Sequence, residues 1–250
     1  MKLSFERKTK IVMYILTLNE EFFLPLSLES VIDNVDKVYI LDGGSTDKTE
    51  EIARDICGDK LIWECRPQND ERFGDDWNQQ ERRNYVLDEI DKWDGYWWIL
   101  EIGADEVVDD KLWLLTQELN DDRSTIYVMP TYNFWGDMKH FLRGDDEHIV
   151  NKFHFHDPHA RLWRSKFGIR HNEREFHCMP VRKDENACNT NFSFWVNIFL
   201  FHLHHGFGPR LDDINHDTKN RPRLENPILM EYNGRYPYVL EKYLKENNII

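Results

Sequence analysis

The chain has 250 residues, 40% hydrophobic and 14% aromatic, so it is long enough to bury a substantial core and is not a disordered segment. Its 46 acidic residues against 32 basic ones give a net charge of −14, which argues against nucleic acid as a partner. Four cysteines without a Cys-x-x-Cys pair, and no signal peptide, favour a reduced cytoplasmic protein. The longest apolar run, Phe192–Leu203, is too short to span a bilayer and predicts a buried strand or helix.

The segment Ile11–Ala53 predicts two strands, each followed by a helix. An apolar run, Ile11–Leu16, stops at a polar turn, and apolar residues then recur at helical spacing. A second apolar run, Val38–Leu41, ends at the sequence DGGSTD, whose Ser, Thr and Asp residues predict the cap of a second helix. This pattern indicates a βαβ unit with a parallel sheet, and such sheets bind ligands beyond the carboxyl ends of their strands. We therefore expect a nucleotide site at the start of the chain.

The pattern of alternating elements continues along the chain. The apolar spacing predicts, in order, a strand at Lys60–Glu64, a helix at Asp75–Asp91, a strand at Trp97–Ile102, a helix at Lys111–Asn120 and a strand at Thr125–Tyr132. From Asn133 onwards helical periodicity fades and returns only at Asp212–Asn220 and Pro237–Asn247. We expect one α/β domain over residues 1–250, with a nucleotide-binding half of about 1–110 and an acceptor-shaping half of about 111–250.

Carboxylates follow the strand predicted at Trp97–Ile102. This strand ends at Gly103-Ala104-Asp105-Glu106, so the two acidic side chains emerge at the sheet edge where ligands bind. Carboxylate oxygens suit Mg²⁺ or Mn²⁺, and such an ion would bridge the protein to a diphosphate. A solvated acidic turn is the alternative, because two further aspartates follow at once.

Four motifs occur in series along the first 110 residues or so. They are TLNEE (17–21), LDGGSTDKTEEIA (41–53), QQERRN (79–84) and the strand ending in ADE (104–106). Together they resemble the family 2 glycosyltransferases with a GT-A fold, especially bacterial-type enzymes that modify lipopolysaccharide and related glycans. A weaker resemblance continues in residues 159–178 and 202–208. The resemblance to this family implies an inverting hexosyltransferase, which moves a sugar from a nucleotide-sugar to a hydroxyl of a glycan or glycolipid. The donor that we expect first is a UDP-sugar.

The resemblance also implies which residues hold the donor. Thr17, Asn19 and Glu20, in the turn after the first strand, would pack against the nucleotide. Asp42 would accept a hydrogen bond from the base, and Arg83 would face the diphosphate, whose oxygens match a guanidinium fork. The alternatives that need no ligand are a turn residue for Asp42 and a solvated helix face for Arg83.

The resemblance implies a metal site at Asp105 and His204, holding Mn²⁺ or Mg²⁺. The family's usual motif is Asp-x-Asp, and here Gly103 stands at its first position while Asp105 keeps the second. His204 matches the family's later His-x-Gly element, and on a strand it would share a face with His202. Glu101 could substitute for the missing carboxylate; weaker metal dependence and lost activity are the other options. A structural histidine is the alternative for His204.

An inverting transfer also needs a carboxylate to deprotonate the acceptor hydroxyl, beside the catalytic role implied for Asp105. Many members carry it in a His-Glu pair after a strand like Arg161–Arg164, but here the pair is His177-Cys178. Glu173 and Glu175 are the nearest substitutes, and we predict Glu175 as the base because it lies on the same strand face as His177. A salt-bridged surface strand is the alternative.

Two other classes of function remain open at this stage. A non-catalytic nucleotide- or glycan-binding protein on the same fold is one, because Gly103 and Cys178 stand where the family usually has carboxylates. A metallohydrolase built around His154–His159 and His202–His205 is the other. The segment Asn133–His159 predicts a loop that closes over the donor. We expect no transmembrane segment; a lipid-linked acceptor would bring this cytoplasmic protein to the inner face of a membrane as a peripheral contact.

Overall fold

A computed structural model of the chain describes residues 9–67, 78–119, 125–143, 156–172, 179–182, 185–187, 191–211 and 227–250. The helices are α1 (Leu24–Val31), α2 (Thr49–Cys57), α3 (Gln79–Asp91), α4 (Leu112–Glu118) and α5 (Tyr238–Glu246). The strands are β1 (Lys10–Thr17), β2 (Lys37–Asp42), β3 (Leu61–Cys65), β4 (Trp97–Glu101), β5 (Glu106–Val108), β6 (Ile126–Trp135), β7 (His140–Leu142), β8 (His156–Arg164), β9 (Ile169–Asn172), β10 (Met179–Arg182), β11 (Glu185–Asn186), β12 (Ser193–Trp195), β13 (Leu200–His205) and β14 (Leu229–Glu231).

The elements predicted between residues 11 and 132 have the predicted type, with boundaries shifted by a few residues. The helix predicted at the C-terminus is also confirmed, as α5. The helix predicted at Asp212–Asn220 lies outside the described residues. The α/β class predicted from the sequence is therefore confirmed.

Four strands of the first half form a parallel sheet in the order β4-β1-β2-β3. The register places Thr17 beside Asp42, and Tyr14 beside Glu101. Because the strands run in the same direction, their carboxyl ends meet at one edge of the sheet. The polar turns that follow β1, β2 and β4 are thus brought together by backbone pairing.

Strands from the second half extend the same sheet. The antiparallel strand β8 pairs with β4, and β6 pairs with β8. The strand β13 runs parallel to β6 and antiparallel to the short β5, with His202 opposite Glu106. This last pairing carries the histidines of β13 to the loop between β4 and β5.

The core lies on both faces of the sheet, and β1 shows why its sequence is apolar throughout. Alternate residues of β1, Ile11 and Met13, pack in one buried cluster with Leu28 of α1. The residues between them, beginning with Val12, pack in a second cluster with Val86 of α3. A strand that is covered on both faces needs apolar residues at every position.

The apolar run Phe192–Leu203 is only partly buried. Leu200 and Leu203 of β13 are inaccessible to solvent, as predicted, but Phe194 on β12 is 57% exposed. The prediction of a buried element was therefore wrong for the first part of this run, because coverage depends on elements distant in sequence. Among the described residues, the structure contains no helix with the length and apolar character needed to cross a membrane.

We expect Leu28→Ala to lower the free energy of unfolding by about 2–5 kcal/mol, because it leaves a cavity between α1 and the sheet. Chemical denaturation measures this loss. Leu114→Ala is the matched control: Leu114 is 46% exposed on α4, so its truncation should change stability by less than about 0.5 kcal/mol. Equal losses in the two variants would contradict the assigned core.

Candidate functional site

Asp42, at the end of β2, is held by the turn that follows it. Its buried carboxylate accepts hydrogen bonds from the Thr17 hydroxyl (2.9 Å), the Gly44 N–H (2.8 Å) and the Ser45 N–H (2.7 Å). The Ser45 hydroxyl donates a fourth, at 2.5 Å. The carboxylate thus shapes the turn between β2 and α2, as in the alternative that needs no ligand. The hydrogen bond between Asp42 and a nucleotide base stays a prediction. Thr17 contributes to the site through its hydrogen bond to Asp42.

Asn19 joins the turn after β1 to the turn after β2. Its backbone is left-handed (φ 55°), and its side-chain oxygen accepts the Thr46 N–H at 2.8 Å. Its own N–H donates to the Ser45 hydroxyl, also at 2.8 Å. The carboxylate of Asp47 accepts the Thr49 N–H at 3.0 Å where α2 begins. The cap position itself is Lys48, which makes no side-chain capping hydrogen bond, so the prediction that the Ser/Thr/Asp group caps this helix was wrong. Hydrogen bonds therefore join the turns after β1 and β2 into one rim at the ends of these strands.

Arg83, predicted to face the diphosphate, points towards the sheet in this structure. Its Nη1 forms an ion pair with Glu101 at the end of β4. The other oxygen of Glu101 lies 2.9 Å from Nε2 of the buried His171, which also meets the Tyr14 hydroxyl at 2.9 Å. Burial would raise the pKa of Glu101, but His171 and Arg83 hold it far below its ordinary value. Glu101 is therefore committed to this network and is not among the grouped metal-type donors at Asp105.

Asp105 lies in the loop between β4 and β5, where β13 approaches it. Its backbone carbonyl accepts the Leu203 N–H at 2.9 Å, which places the residues on either side of Leu203 around the Asp105 side chain. Oδ2 of Asp105 is 3.3 Å from Nε2 of His202 and 3.2 Å from Nδ1 of His204. The prediction that these two histidines share a strand face is confirmed.

The three side chains at Asp105 are electrostatically matched. Burial would raise the pKa of Asp105, but His202 and His204 lower it well below its usual range. Burial likewise opposes the charging of His202, yet Asp105 raises its pKa above the ordinary value. The donor atoms of these three residues all lie within 4.8 Å of one another. One carboxylate and two imidazoles suit a divalent transition-metal ion such as Mn²⁺ better than Mg²⁺, which prefers oxygen ligands.

A side chain at Gly103, where the resemblance leads one to expect a carboxylate, would crowd the carboxylates of Asp105 and Glu106. A Cβ at this position would lie 2.8 Å from Oδ1 of Asp105 and 3.3 Å from Oε2 of Glu106. The Gly103 N–H donates to that same Glu106 oxygen at 2.6 Å, and the other oxygen of Glu106 binds Arg161 at 2.6 Å. Gly103 is thus part of a tight turn that the Glu106 carboxylate holds in place.

Sequence reasoning missed Arg210, which lies beside Asp105. Its Nη1 is 3.9 Å from Oδ2 of Asp105, and its Nη2 donates to Oε1 of Glu20 at 2.5 Å. Burial, and then the charge of Asp105, raise the pKa of Glu20 to about 7, although Arg210 opposes them. The available signal was one basic residue shortly after the histidine motif, too weak to single out by pattern. We call Glu20, Asp105, His202, His204 and Arg210 the strand-end cluster.

Several predicted features lie outside the described residues. Glu175 is one of them, together with His177 and Cys178, so the identity of the base stays a prediction. Residues 144–155 of the predicted closing loop are also outside, and with them His154 of the histidines proposed for a metallohydrolase. Of that proposed histidine set, His202 and His204 do converge, but on Asp105 at the end of the parallel strands.

Comparison with known proteins identifies one family. The sequence pattern of Glycosyl transferase family 2 matches residues 13–179, which is more than half of the chain. A search of curated protein sequences found no match.

Solved structures that resemble this chain include S. aureus TarS 1-349, at 13% identity and a TM-score of 0.46 over 76% of this chain and 60% of that one. Another is glucosyl-3-phosphoglycerate synthase from Mycobacterium tuberculosis, at 20% identity and a TM-score of 0.33 over 50% of this chain and 44% of that one. A third is the inositol-1-phosphate CTP transferase from T. maritima, at 9% identity and a TM-score of 0.40 over 78% of this chain and 90% of that one.

We expect Glu106→Ala to lower the free energy of unfolding by about 3–5 kcal/mol, because it leaves the buried Arg161 without its partner. Chemical denaturation measures the loss. Glu50→Ala is the matched control: Glu50 pairs with Arg54 on the solvent-exposed surface of α2, and its removal should cost less than about 1 kcal/mol. A loss at Glu106 no larger than that at Glu50 would contradict a structural role for the buried pair.

We expect Glu20 to make the free energy of unfolding depend on pH between about pH 4.5 and about pH 7. The folded state, in which the Glu20 pKa is about 7 rather than 4.5, binds the proton more tightly than the unfolded state does. Stability therefore falls as the pH rises through this window, and Glu20→Gln should remove that part of the fall. Melting temperatures of the two proteins across the window measure it. Glu21→Gln, at the exposed neighbouring position, is the control, and parallel curves for wild type and Glu20→Gln would contradict the prediction.

Proposed function

The chain belongs to Glycosyl transferase family 2, and from this premise we propose that it transfers a sugar from a nucleotide-sugar donor to a hydroxyl of a glycan or glycolipid acceptor. The observation that carries the proposal is the convergence of Asp105, His202 and His204 at the carboxyl end of the parallel strands. This is the edge at which α/β sheets bind nucleotides. The GT-A type of α/β fold implied by the motifs is confirmed by the family match.

On this proposal the donor lies across the ends of β1, β2 and β4. Thr17, Asn19 and Asp42 form the rim that would meet the nucleoside, and Glu20, which pairs with Arg210, would lie next to the diphosphate. Arg83 would reach the diphosphate only by leaving Glu101, so its first role is to neutralise that buried carboxylate. The domain would comprise residues 1–250, with the donor half at about 1–110 and the acceptor half thereafter.

Asp105, His202 and His204 would hold the divalent ion, with Mn²⁺ favoured over Mg²⁺ by the two imidazoles. When bound, the ion would neutralise charge on the departing nucleoside diphosphate. The low pKa of Asp105 keeps its carboxylate ionised at neutral pH, ready to bind a cation. We propose inversion with Glu175 as the base that takes the proton of the acceptor hydroxyl. A UDP-sugar is the proposed donor.

A second candidate is a non-catalytic nucleotide- or glycan-binding protein. It is favoured by the turn at Gly103, where the side chains of Asp105 and Glu106 occupy the space next to the family's first carboxylate position. The two candidates differ in one measurable outcome. The transferase binds the donor and turns it over, whereas the binding protein takes up the nucleotide without transfer or hydrolysis. If the protein is the transferase, a lipid-linked acceptor would bring it to the cytoplasmic face of a membrane.

We expect UDP or a UDP-sugar together with Mn²⁺ to raise the melting temperature, since a ligand bound only by the folded state stabilises it. The measurement is a thermal-shift panel of nucleoside diphosphates and nucleotide-sugars, with and without Mn²⁺, followed by a transfer assay with the best donor. Asp105→Asn should abolish the Mn²⁺-dependent part of the shift and lower transfer by at least about a hundredfold, because it removes the anionic ligand of the ion.

Asp94→Asn is the matched control, since Asp94 is exposed in the turn before β4. This variant should behave like the wild type in both measurements. Near-normal transfer by Asp105→Asn would remove the metal from the proposed mechanism. A Mn²⁺-dependent shift with no turnover of any donor would favour the binding protein.

A further inference from the structure

Arg210 places a positive charge next to Asp105, the carboxylate that we propose as a ligand of the metal ion. It contacts the same Asp105 oxygen, Oδ2, that both His202 and His204 approach. Its other terminal nitrogen binds Glu20 at 2.5 Å, so one guanidinium links the carboxylates of two different strand-end loops. All three side chains of this link are less than one-third exposed, so solvent screens their charges only weakly.

The position of Arg210 is built by close packing of its segment against the start of α1. Gly208 has a left-handed backbone (φ 88°), and a Cβ there would overlap the Phe22 ring and lie 3.0 Å from Phe23. The Leu211 N–H then donates to the Gly208 carbonyl at 3.2 Å and closes the turn that contains Arg210. Since Phe22 follows Glu20 by two residues, this contact fixes Arg210 beside Glu20 and does not depend on the ion pair alone.

Two cations that approach one carboxylate oxygen repel each other, and the repulsion is strong where water is scarce. A metal ion held by Asp105 must therefore share that carboxylate with Arg210 or displace it. An anion with several charged oxygens changes this balance, because it can contact the metal ion and the guanidinium together. A nucleoside diphosphate is such an anion.

We propose that Arg210 is a second cationic centre of the site, positioned by Glu20, that couples metal binding to diphosphate binding. Without nucleotide, Arg210 neutralises Asp105 and Glu20 and weakens the binding of the ion. With a nucleoside diphosphate present, the guanidinium contacts the anion and the ion binds Asp105 without competition. This inference rests on the proposed function, because it takes the strand-end cluster as the site for the metal ion and the diphosphate.

The test measures Mn²⁺ affinity directly, from the paramagnetic resonance signal of unbound Mn²⁺, with and without UDP. For wild type we expect UDP to tighten Mn²⁺ binding by about tenfold or more, within the usual range of coupling between two ligands. Arg210→Met should bind Mn²⁺ alone about fivefold tighter or more, and its coupling to UDP should fall to less than about threefold. Arg210→Lys keeps the positive charge, so without UDP it should bind Mn²⁺ almost as weakly as wild type does.

Arg235→Met is the matched control, because the Arg235 side chain is 80% exposed. It should leave both Mn²⁺ affinities unchanged. Glu20→Gln should reduce the coupling, because Arg210 loses its charged partner, and full coupling in this variant would overturn the positioning role of Glu20. An Arg210→Met protein that binds Mn²⁺ alone no tighter than wild type would overturn the competition.

Asp105→Asn separates the failure of this inference from the failure of the proposed function. If Asp105→Asn loses Mn²⁺ binding while Arg210→Met equals wild type, the metal site stands and only the role of Arg210 is overturned. If Asp105→Asn binds Mn²⁺ as tightly as wild type, the cluster is not the metal site, and both proposals fail.

Discussion

The carboxylate of Asp105 is the group on which the arrangement of the site depends. A carboxylate taken out of water must be compensated by positive charge or by hydrogen-bond donors, and the cost of leaving it unpaired is several kcal/mol (about 3–5). Here the compensation comes from His202 and His204 on β13 and from Arg210 just beyond it. The need to compensate the Asp105 charge therefore brings β13 to the sheet edge. The side chains that meet there form a group of donors that suits a divalent ion.

Two neighbouring carboxylates follow the same rule with different partners. Glu101 is neutralised by Arg83 and hydrogen-bonded to His171, and Glu106 is neutralised by Arg161. These two ion pairs hold the ends of β4 and β5 and leave Asp105 as the carboxylate that faces the histidines. Of the three acidic residues, two thus stabilise the scaffold and one, Asp105, is the residue that we propose as a cation ligand. Substitutions at the first two should act on stability, and substitutions at Asp105 should act on ligand binding.

Much of this division could not be read from sequence. The resemblance implied that Arg83 faces the diphosphate, but in the structure its guanidinium is turned towards Glu101, eighteen positions further along the chain. The pairing of Arg210 with Glu20 spans 190 positions and was not predicted. That of His204 with Asp105 spans 99 positions and was predicted only from the family resemblance. Local periodicity carries no information about contacts of that separation, because they depend on which strands lie side by side.

The sequence by itself determined the elements predicted between residues 11 and 132, the parallel pairing of the first two strands and the shared strand face of His202 and His204. These features follow from apolar spacing and from the alternation of side chains along a strand, which are local properties. Only the tertiary structure decided that β13 pairs with β5, that Arg210 reaches Glu20 and Asp105, and that Phe194 is exposed. Those outcomes depend on the pairing and coverage of distant segments, and charge neutralisation and burial are properties of the assembled sheet.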